Sequence, residues 1–220
     1  MRSTGVDLDG CLVNWVEGFQ RKLITVTGRD LFPPYYIPRV WDWAEAAGYT
    51  DAEIRTTWNV IKGERNWWAG LDCYHDEHVV QTLDELDKRQ AHGESVYFIT
   101  SRPGYKAKAQ SEDWLRHHGM PHPTVLISHE KGLAAAALAL DAYIDDNLEN
   151  VMGVRVHRPQ CSTYLCDRPW NRGNDITGEN IRESCPVKIP GVKRCATAYD
   201  MLVSLTSPPD RAGSARHSVS

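Results

Sequence analysis

The chain has 220 residues, 41% of them hydrophobic and 25% charged, with a formal net charge of −4. That length suits one good-sized domain, or a core domain carrying a smaller insert. The acidic balance argues against a general nucleic-acid binder, and no apolar run approaches the length of a membrane span. The N-terminus shows no apolar signal core, so the expectation is a cytoplasmic protein. The six cysteines (Cys11, Cys73, Cys161, Cys166, Cys185 and Cys195) are then expected as reduced thiols, and their spacing fits no zinc ribbon or finger.

Taken in chain order, a first strand is expected over Gly5–Leu8. A helix follows over Asn14–Thr27, where Trp15, Phe19, Leu23 and Val26 recur at helical spacing. The stretch "GRDLFPPYYIPRVWDW" breaks the pattern with prolines and aromatics. Thr50 and Glu53 then form a capping box for a helix running to about Ile61, and "GERNWWAGLDCYHDE" is irregular again. Regular alternation resumes near Glu77, with a helix marked by Val79, Leu83 and Leu86. Next come the strand "SVYFIT", a helix over Ala107–His118, the strand "TVLIS", a short helix over Lys131–Leu138 and the strand "AYIDD". "GVRVH" and "TYLC" are two further candidate strands, with Gly153 and Arg155 in the first of them. From about Ser207 the chain is polar and rich in Ser, Pro and Gly, and a disordered tail is expected. Strands alternating with helices imply an α/β fold, a Rossmann-like parallel sheet with helices on both faces.

In such sheets ligands bind at the carboxyl ends of the strands. The first strand ends in Asp7-Leu8-Asp9-Gly10 and the next after the insert in Thr100-Ser101-Arg102-Pro103. A third leads to Ser128-His129-Glu130-Lys131 and a fourth to Asp145-Asp146. One polar strand end is ordinary helix capping. Four of them at one edge gather four acids around a single lysine, a repulsive arrangement that calls for a cation. Carboxylate and carbonyl oxygens suit Mg²⁺.

The series Asp7-Leu8-Asp9-Gly10, Thr100, Lys131, Asp145-Asp146 resembles the four-motif signature of the haloacid dehalogenase superfamily, over nearly the whole chain to about residue 205. Within it, "FITSRP", "YLCDRPWNRG" and the pair Trp67-Trp68 before Leu71-Asp72 are similar to the 5′(3′)-deoxyribonucleotidases. The resemblance implies a Mg²⁺-dependent phosphomonoesterase that hydrolyses deoxynucleoside monophosphates through an aspartyl-phosphate. Asp7 would be the nucleophile and Asp9 the general acid and base; alternate strand residues share a side, so both would approach one phosphate. Gly10 would turn the backbone beside the ligand. Thr100 would bond a phosphate oxygen, and Lys131 would neutralise charge. Mg²⁺ would be held by a carboxylate oxygen of Asp7, the main-chain carbonyl of Asp9 and Asp146, with Asp145 in close support. Asn147 and His129-Glu130 depart from the relatives, which often carry a basic residue and Arg-Asp there.

The resemblance also implies that the insert is a small, mainly helical cap. The expected division is a catalytic core over 1–15 and 78–206, a cap over 16–77 and the tail over 207–220. Of the cap tryptophans, Trp41, Trp43 and Trp58 are expected in its core, and at least one of Trp67 and Trp68 against the base, with Ser101 near the nucleoside. His75 with His78, and His117, His118 and His122, have no metal-motif spacing; Asp167, Arg168, Trp170 and Asn171 read as a well-bonded turn. The expected partner is a small-molecule nucleotide, with no membrane or nucleic-acid partner; a homodimer is left open. Competing readings are a polynucleotide-end phosphatase, a sugar phosphatase and a catalytically silent binding protein. A dehalogenase is disfavoured by Asp9.

Overall fold

Strands of three to six residues separated by helices form as the alternation requires. The computed structural model of the chain describes residues 2–74, 78–172 and 190–206. The expected tail, Cys185 and His75 lie outside them. The strands are β1 (Ser3–Val6), β2 (Ser95–Thr100), β3 (Val125–Ile127), β4 (Ala142–Asp145), β5 (Ser162–Cys166) and β6 (Val192–Cys195). They form one sheet in the order β3-β2-β1-β4-β5-β6, and every neighbouring pair is parallel. Helices α1 (Trp15–Thr27), α2 (Trp43–Ala46), α3 (Asp51–Gly63) and α4 (His78–Ala91) lie between β1 and β2. Then come α5 (Ala107–His117), α6 (Lys131–Ala137), α7 (Leu148–His157) and α8 (Ala198–Thr206).

Strand alternation sorts the core onto two faces. Val6, Phe98, Ile144 and Tyr164 pack with Val79 and Leu83 of α4, Trp114 of α5 and Met201 of α8. On the other face Ile99 and Tyr143 pack with Ala134 and Ala135 of α6 and Val154 of α7. Helices α6 and α7 cross with their backbones almost touching: a Cβ added to Gly132 would lie 2.5 Å from the Gly153 carbonyl oxygen.

The sheet reverses its winding between β1 and β4, and this switch point places the site. Val6 is in register with Phe98 on one side and Ile144 on the other. The Asp7 amide continues the ladder by donating to the Ile144 carbonyl at 3.0 Å. Asp7 therefore leaves β1 beside Asp145 at the end of β4, with Thr100 at the end of β2 flanking them.

Three expectations are corrected. "GVRVH" is not a strand but the C-terminal half of α7, so Gly153 and Arg155 are helical. Its Val-x-Val alternation is too short to separate the two periods, and the Asn147 side chain, which accepts from the Glu149 and Asn150 amides, caps a helix. The first strand begins at Ser3 and ends at Val6, before the aspartates rather than through them. The edge strand β6 and helix α8 were not expected. β6 carries Lys193 and Arg194, which disguise an edge strand, while Thr197 and Asp200 form a capping pair that does announce α8.

The insert is built as its caps dictate. Asn14 caps α1 through the Glu17 amide, and Gly28 ends it at φ 68°, a left-handed position that suits glycine. The Thr50–Glu53 capping box is formed at α3. Between these helices Trp15, Phe19, Trp43, Trp58, Trp67 and Trp68 pack with ring centroids 4.4–6.4 Å apart. This aromatic cluster is continuous with the core on the sheet face carrying Val6 and Ile144, so the insert shares the core of the sheet domain.

Candidate active site

Asp7, Asp145 and Asp146 are buried together, with one carboxylate oxygen of each within 4.8 Å of the others. Lys131, the first residue of α6, reaches into this cluster. Its Nζ lies 2.8 Å from Asp7 Oδ1 and 2.7 Å from Asp145 Oδ2, and the side chain is only 3% exposed. The face carrying α6 is the one on which Tyr143 and Asp145 point, which is why a lysine from that helix meets both acids. Asp145 is saturated: Tyr143 Oη, Lys131 Nζ and Asn150 Nδ2 donate to its side chain, as does the Asn147 amide. These bonds tie it to the start of α6 through Lys131 and to the N-cap of α7 through Asn147.

Three carboxylates against one ammonium leave two negative charges in a buried volume. The titration behaviour follows. Burial, reinforced by the charge of Asp145, pushes Asp7 well above the ordinary carboxylate range, with Lys131 opposing. Asp146 is raised by the same two causes, with Lys131 and the Trp170 hydrogen bond opposing. Burial works against the Lys131 charge, but Asp145 and Asp7 outweigh it and hold the lysine well above its usual range. An all-oxygen donor set with two uncompensated charges fits a hard divalent cation such as Mg²⁺, and Asp7 and Asp146 are the side chains that would hold it.

Asp9 is separate from this cluster. Its carboxylate takes a fork of hydrogen bonds from Arg102, Nε at 2.9 Å to Oδ2 and Nη2 at 2.8 Å to Oδ1, and a third from Thr100 Oγ1 at 3.1 Å. Any metal contact of Asp9 would therefore come from its main-chain carbonyl, as the resemblance implies. Arg102 itself is fully buried, bonded to Ser111 Oγ at 3.0 Å, and its guanidinium lies 4.7 Å from the Trp68 ring centroid. Sequence reasoning passed over it, although an arginine two residues past a strand end is a visible signal.

Asp7, Asp9, Thr100, Ser101, Lys131 and Asp146 open onto one cleft of about 320 Å³. The same cleft is lined by four tryptophans, Trp15, Trp41, Trp58 and Trp68, and by His129 and Asn147. Ser101 lies at the cleft with its hydroxyl donating to the Ser128 carbonyl at 3.0 Å. Of the pair from which a base contact was expected, Trp68 lines the cleft, while Trp67 stands edge-on to it and lines a different cavity with Gly18, Arg21 and Leu71. Trp41 and Trp58, expected in the cap core, line the cleft; Trp43 is buried as expected. Gly10, expected to turn the backbone beside the ligand, packs directly against the Asp146 carboxylate. Its φ is +81°, and a Cβ there would sit 2.0 Å from Asp146 Oδ2.

The turn after β5 is part of the site. Trp170 Nε1 donates to Asp146 Oδ2 at 2.9 Å, and Asn171 Nδ2 to the Asp146 carbonyl at 2.8 Å. Arg168 donates to the Gly10 and Cys11 carbonyls.

The parallel sheet with its switch point between β1 and β4 and a helical insert after β1 is an architecture that this chain shares with solved hydrolases and dehalogenases at low sequence identity. Solved structures show the same fold. A hydrolase from Pseudomonas syringae is 15% identical with a TM-score of 0.54, covering 93% of this chain and 98% of that one. A defluorinating L-2-haloacid dehalogenase is 11% identical with a TM-score of 0.53, covering 94% and 96%. A haloacid dehalogenase-like family hydrolase from Streptococcus pneumoniae is 14% identical with a TM-score of 0.51, covering 76% and 85%. No family model and no curated protein matches the sequence. No described helix is long and apolar enough to cross a membrane.

Proposed function

We propose that the protein is a Mg²⁺-dependent phosphomonoesterase acting on deoxynucleoside monophosphates. One observation carries the reading: Asp7, Asp9, Lys131 and Asp146 line a single cleft together with four tryptophans, Trp15, Trp41, Trp58 and Trp68. A carboxylate of Asp7 attacks phosphorus, the bond to the sugar oxygen breaks, and Asp9 delivers a proton to that oxygen. Asp9 then takes a proton from the water that cleaves the aspartyl-phosphate. Lys131 holds Asp7 in place and offsets the charge of the phosphoryl group, and Thr100 orients Asp9 while facing the phosphate. Bound Mg²⁺ would neutralise the phosphoryl oxygens beside Asp7 and Asp146. The tryptophan wall supplies flat faces for a base.

The fold is shared with a dehalogenase. Asp9 favours phosphoryl transfer, because a second acid two residues past the nucleophile serves a leaving alkoxide. The test is phosphate release from purine and pyrimidine monophosphates, ribo and deoxy, beside sugar phosphates, compared by kcat/KM with Mg²⁺. Release from sugar phosphates without release from any nucleotide would sink the substrate reading. Full activity in Asp7→Asn would sink the mechanism.

A further inference from the structure

The single turn of 3-10 helix at Pro169–Asn171 lies outside the four motif segments, yet its bonds go to two of them. Arg168 Nε donates to the Gly10 carbonyl at 2.6 Å and Nη2 to the Cys11 carbonyl at 3.2 Å, gripping the loop that follows Asp9. Its guanidinium is stacked 4.2 Å from the Tyr74 ring centroid, which prevents it from swinging away. Asn171 ties the main chain of Asp146 to the end of β5, donating to the carbonyls of Asp146 at 2.8 Å and Cys166 at 2.7 Å. Trp170 completes the grip through the Asp146 side chain.

Gly10 and Asp146 touch one another, since a Cβ on Gly10 would coincide with the Asp146 carboxylate. The turn thus holds both partners of that contact, one by Arg168 and the other by Trp170 and Asn171. The indole N–H donates to Oδ2, which restrains the rotation of the carboxylate and so the direction in which its remaining lone pairs meet a ligand. A carboxylate free to rotate would lose that orientation when a cation arrived.

We infer that Trp170 is a positioning residue for the cation site: its indole N–H sets the orientation of Asp146 and thereby the affinity of the Asp7–Asp146 pair for a divalent cation. This rests on reading Asp7 and Asp146 as cation ligands. Partners of this kind, one bond removed from a metal, are worth about 10-fold to 100-fold in affinity.

The experiment is calorimetric titration of the purified protein with Mg²⁺, and with Mn²⁺, in the absence of substrate. Trp170→Phe keeps the ring and removes the donor, and is expected to weaken binding by about 10-fold or more. Its phosphatase activity should recover toward the wild-type kcat at high Mg²⁺, with the nucleotide KM unchanged. A purely structural role would lower Tm and leave the cation affinity alone, and that result overturns the inference. Should Trp170→Phe not fold, the indole ¹⁵N–¹H resonance of Trp170 in the wild-type chain is followed through the same titration. It is expected to move with the calorimetric midpoint, and a resonance that stays still overturns the inference. Binding without nucleotide hydrolysis would leave this inference standing and remove only the substrate reading. A wild-type chain that binds neither cation removes both.

Discussion

Arg102 holds both oxygens of Asp9 in a planar fork while the face of its guanidinium lies over Trp68, so the Asp9 carboxylate and a tryptophan of the cleft share one buried cation. The contact spans 93 residues of sequence and joins the end of β2 to the end of β1. Its geometric consequence is that Asp9 cannot rotate without breaking two charge-assisted hydrogen bonds. Arg102→Ala is expected to lower kcat by about 100-fold, the scale of a general acid set adrift, with little change in KM. Arg102→Lys keeps the charge but not the fork, and should recover only part of the loss. The check is the leaving group. p-Nitrophenyl phosphate needs little protonation and should show a much smaller defect than a nucleotide. Equal defects on both substrates would mean that Arg102 does not act through Asp9.

The strand ends were legible because the pattern that marks them is local. Two aspartates flanking one leucine and followed by glycine, or Asp145-Asp146 after an apolar run, can be read without knowing any partner. The switch-point topology then brings them together, as parallel sheets of this kind do. What stayed hidden depends on contacts across the chain. Arg102 is one residue in a strand-end tetrapeptide until its partner is seen. The turn at Arg168–Asn171 reads as well bonded, but its partners do not show in the sequence: the bond to the Gly10 carbonyl reaches across 158 residues. Composition could place five tryptophans in the insert but not orient them. Trp67 faces away from the cleft and Trp58 toward it because the α3 helix and the "NWWAG" loop set their directions, which one-dimensional spacing does not encode.

That orientation separates the two tryptophans experimentally. Trp58 lines the cleft and stacks at 6.3 Å on Trp68. Base stacking on an aromatic is worth about 1–3 kcal/mol, so Trp58→Ala should raise the nucleotide KM by roughly 10-fold to 100-fold while sparing p-nitrophenyl phosphate. Trp67 is 9% exposed and turned to another cavity. Trp67→Ala should cost about 3–5 kcal/mol of stability as a core deletion, with the KM ratio between those substrates unchanged. Steady-state kinetics and urea unfolding on both variants decide it, and the reverse assignment would refute the wall described here.

Lys131 depends on the tight crossing of α6 and α7. A Cβ on Gly132 would meet backbone, the Gly153 carbonyl oxygen at 2.5 Å and carbon at 2.7 Å, so nothing flexible can yield. Gly132→Ala must push α6 outward, and Lys131 is the adjacent residue. The expected cost is about 1–3 kcal/mol of stability together with a fall in kcat, because the ammonium withdraws from Asp7. Gly153→Ala meets nothing nearer than 4.0 Å and is the matched control, retaining kcat. Measuring Tm and kcat on the pair tests the argument, which fails if Gly132→Ala is indistinguishable from the control.

Cys161 makes alkaline stability a readout of burial. The residue is 3% exposed and packs with Ile99, Leu140, Tyr143 and Val154 behind the sheet. Burial pushes its thiol up to about 12, with Arg158 opposing and Asp141 adding to the shift. An exposed thiol in the unfolded chain ionises near 8.5, as free cysteine does. Between those two values the folded chain keeps a proton that the unfolded chain has released, so stability falls as pH rises through the window. The contribution is fully present below it. One proton corresponds to a slope of at most about 1.4 kcal/mol per pH unit. Cys161→Ala removes that slope while adding a pH-independent packing loss, so the informative quantity is the change with pH within each protein. Cys195, whose thiol burial also pushes well up, contributes a similar loss that both proteins retain. Urea unfolding at pH values of about 8, 9.5 and 10.5 should therefore show a shallower decline for Cys161→Ala than for the wild type. Parallel declines would mean that the thiol ionises in the folded protein as readily as in the unfolded one, and the packing account of this face would have to be abandoned.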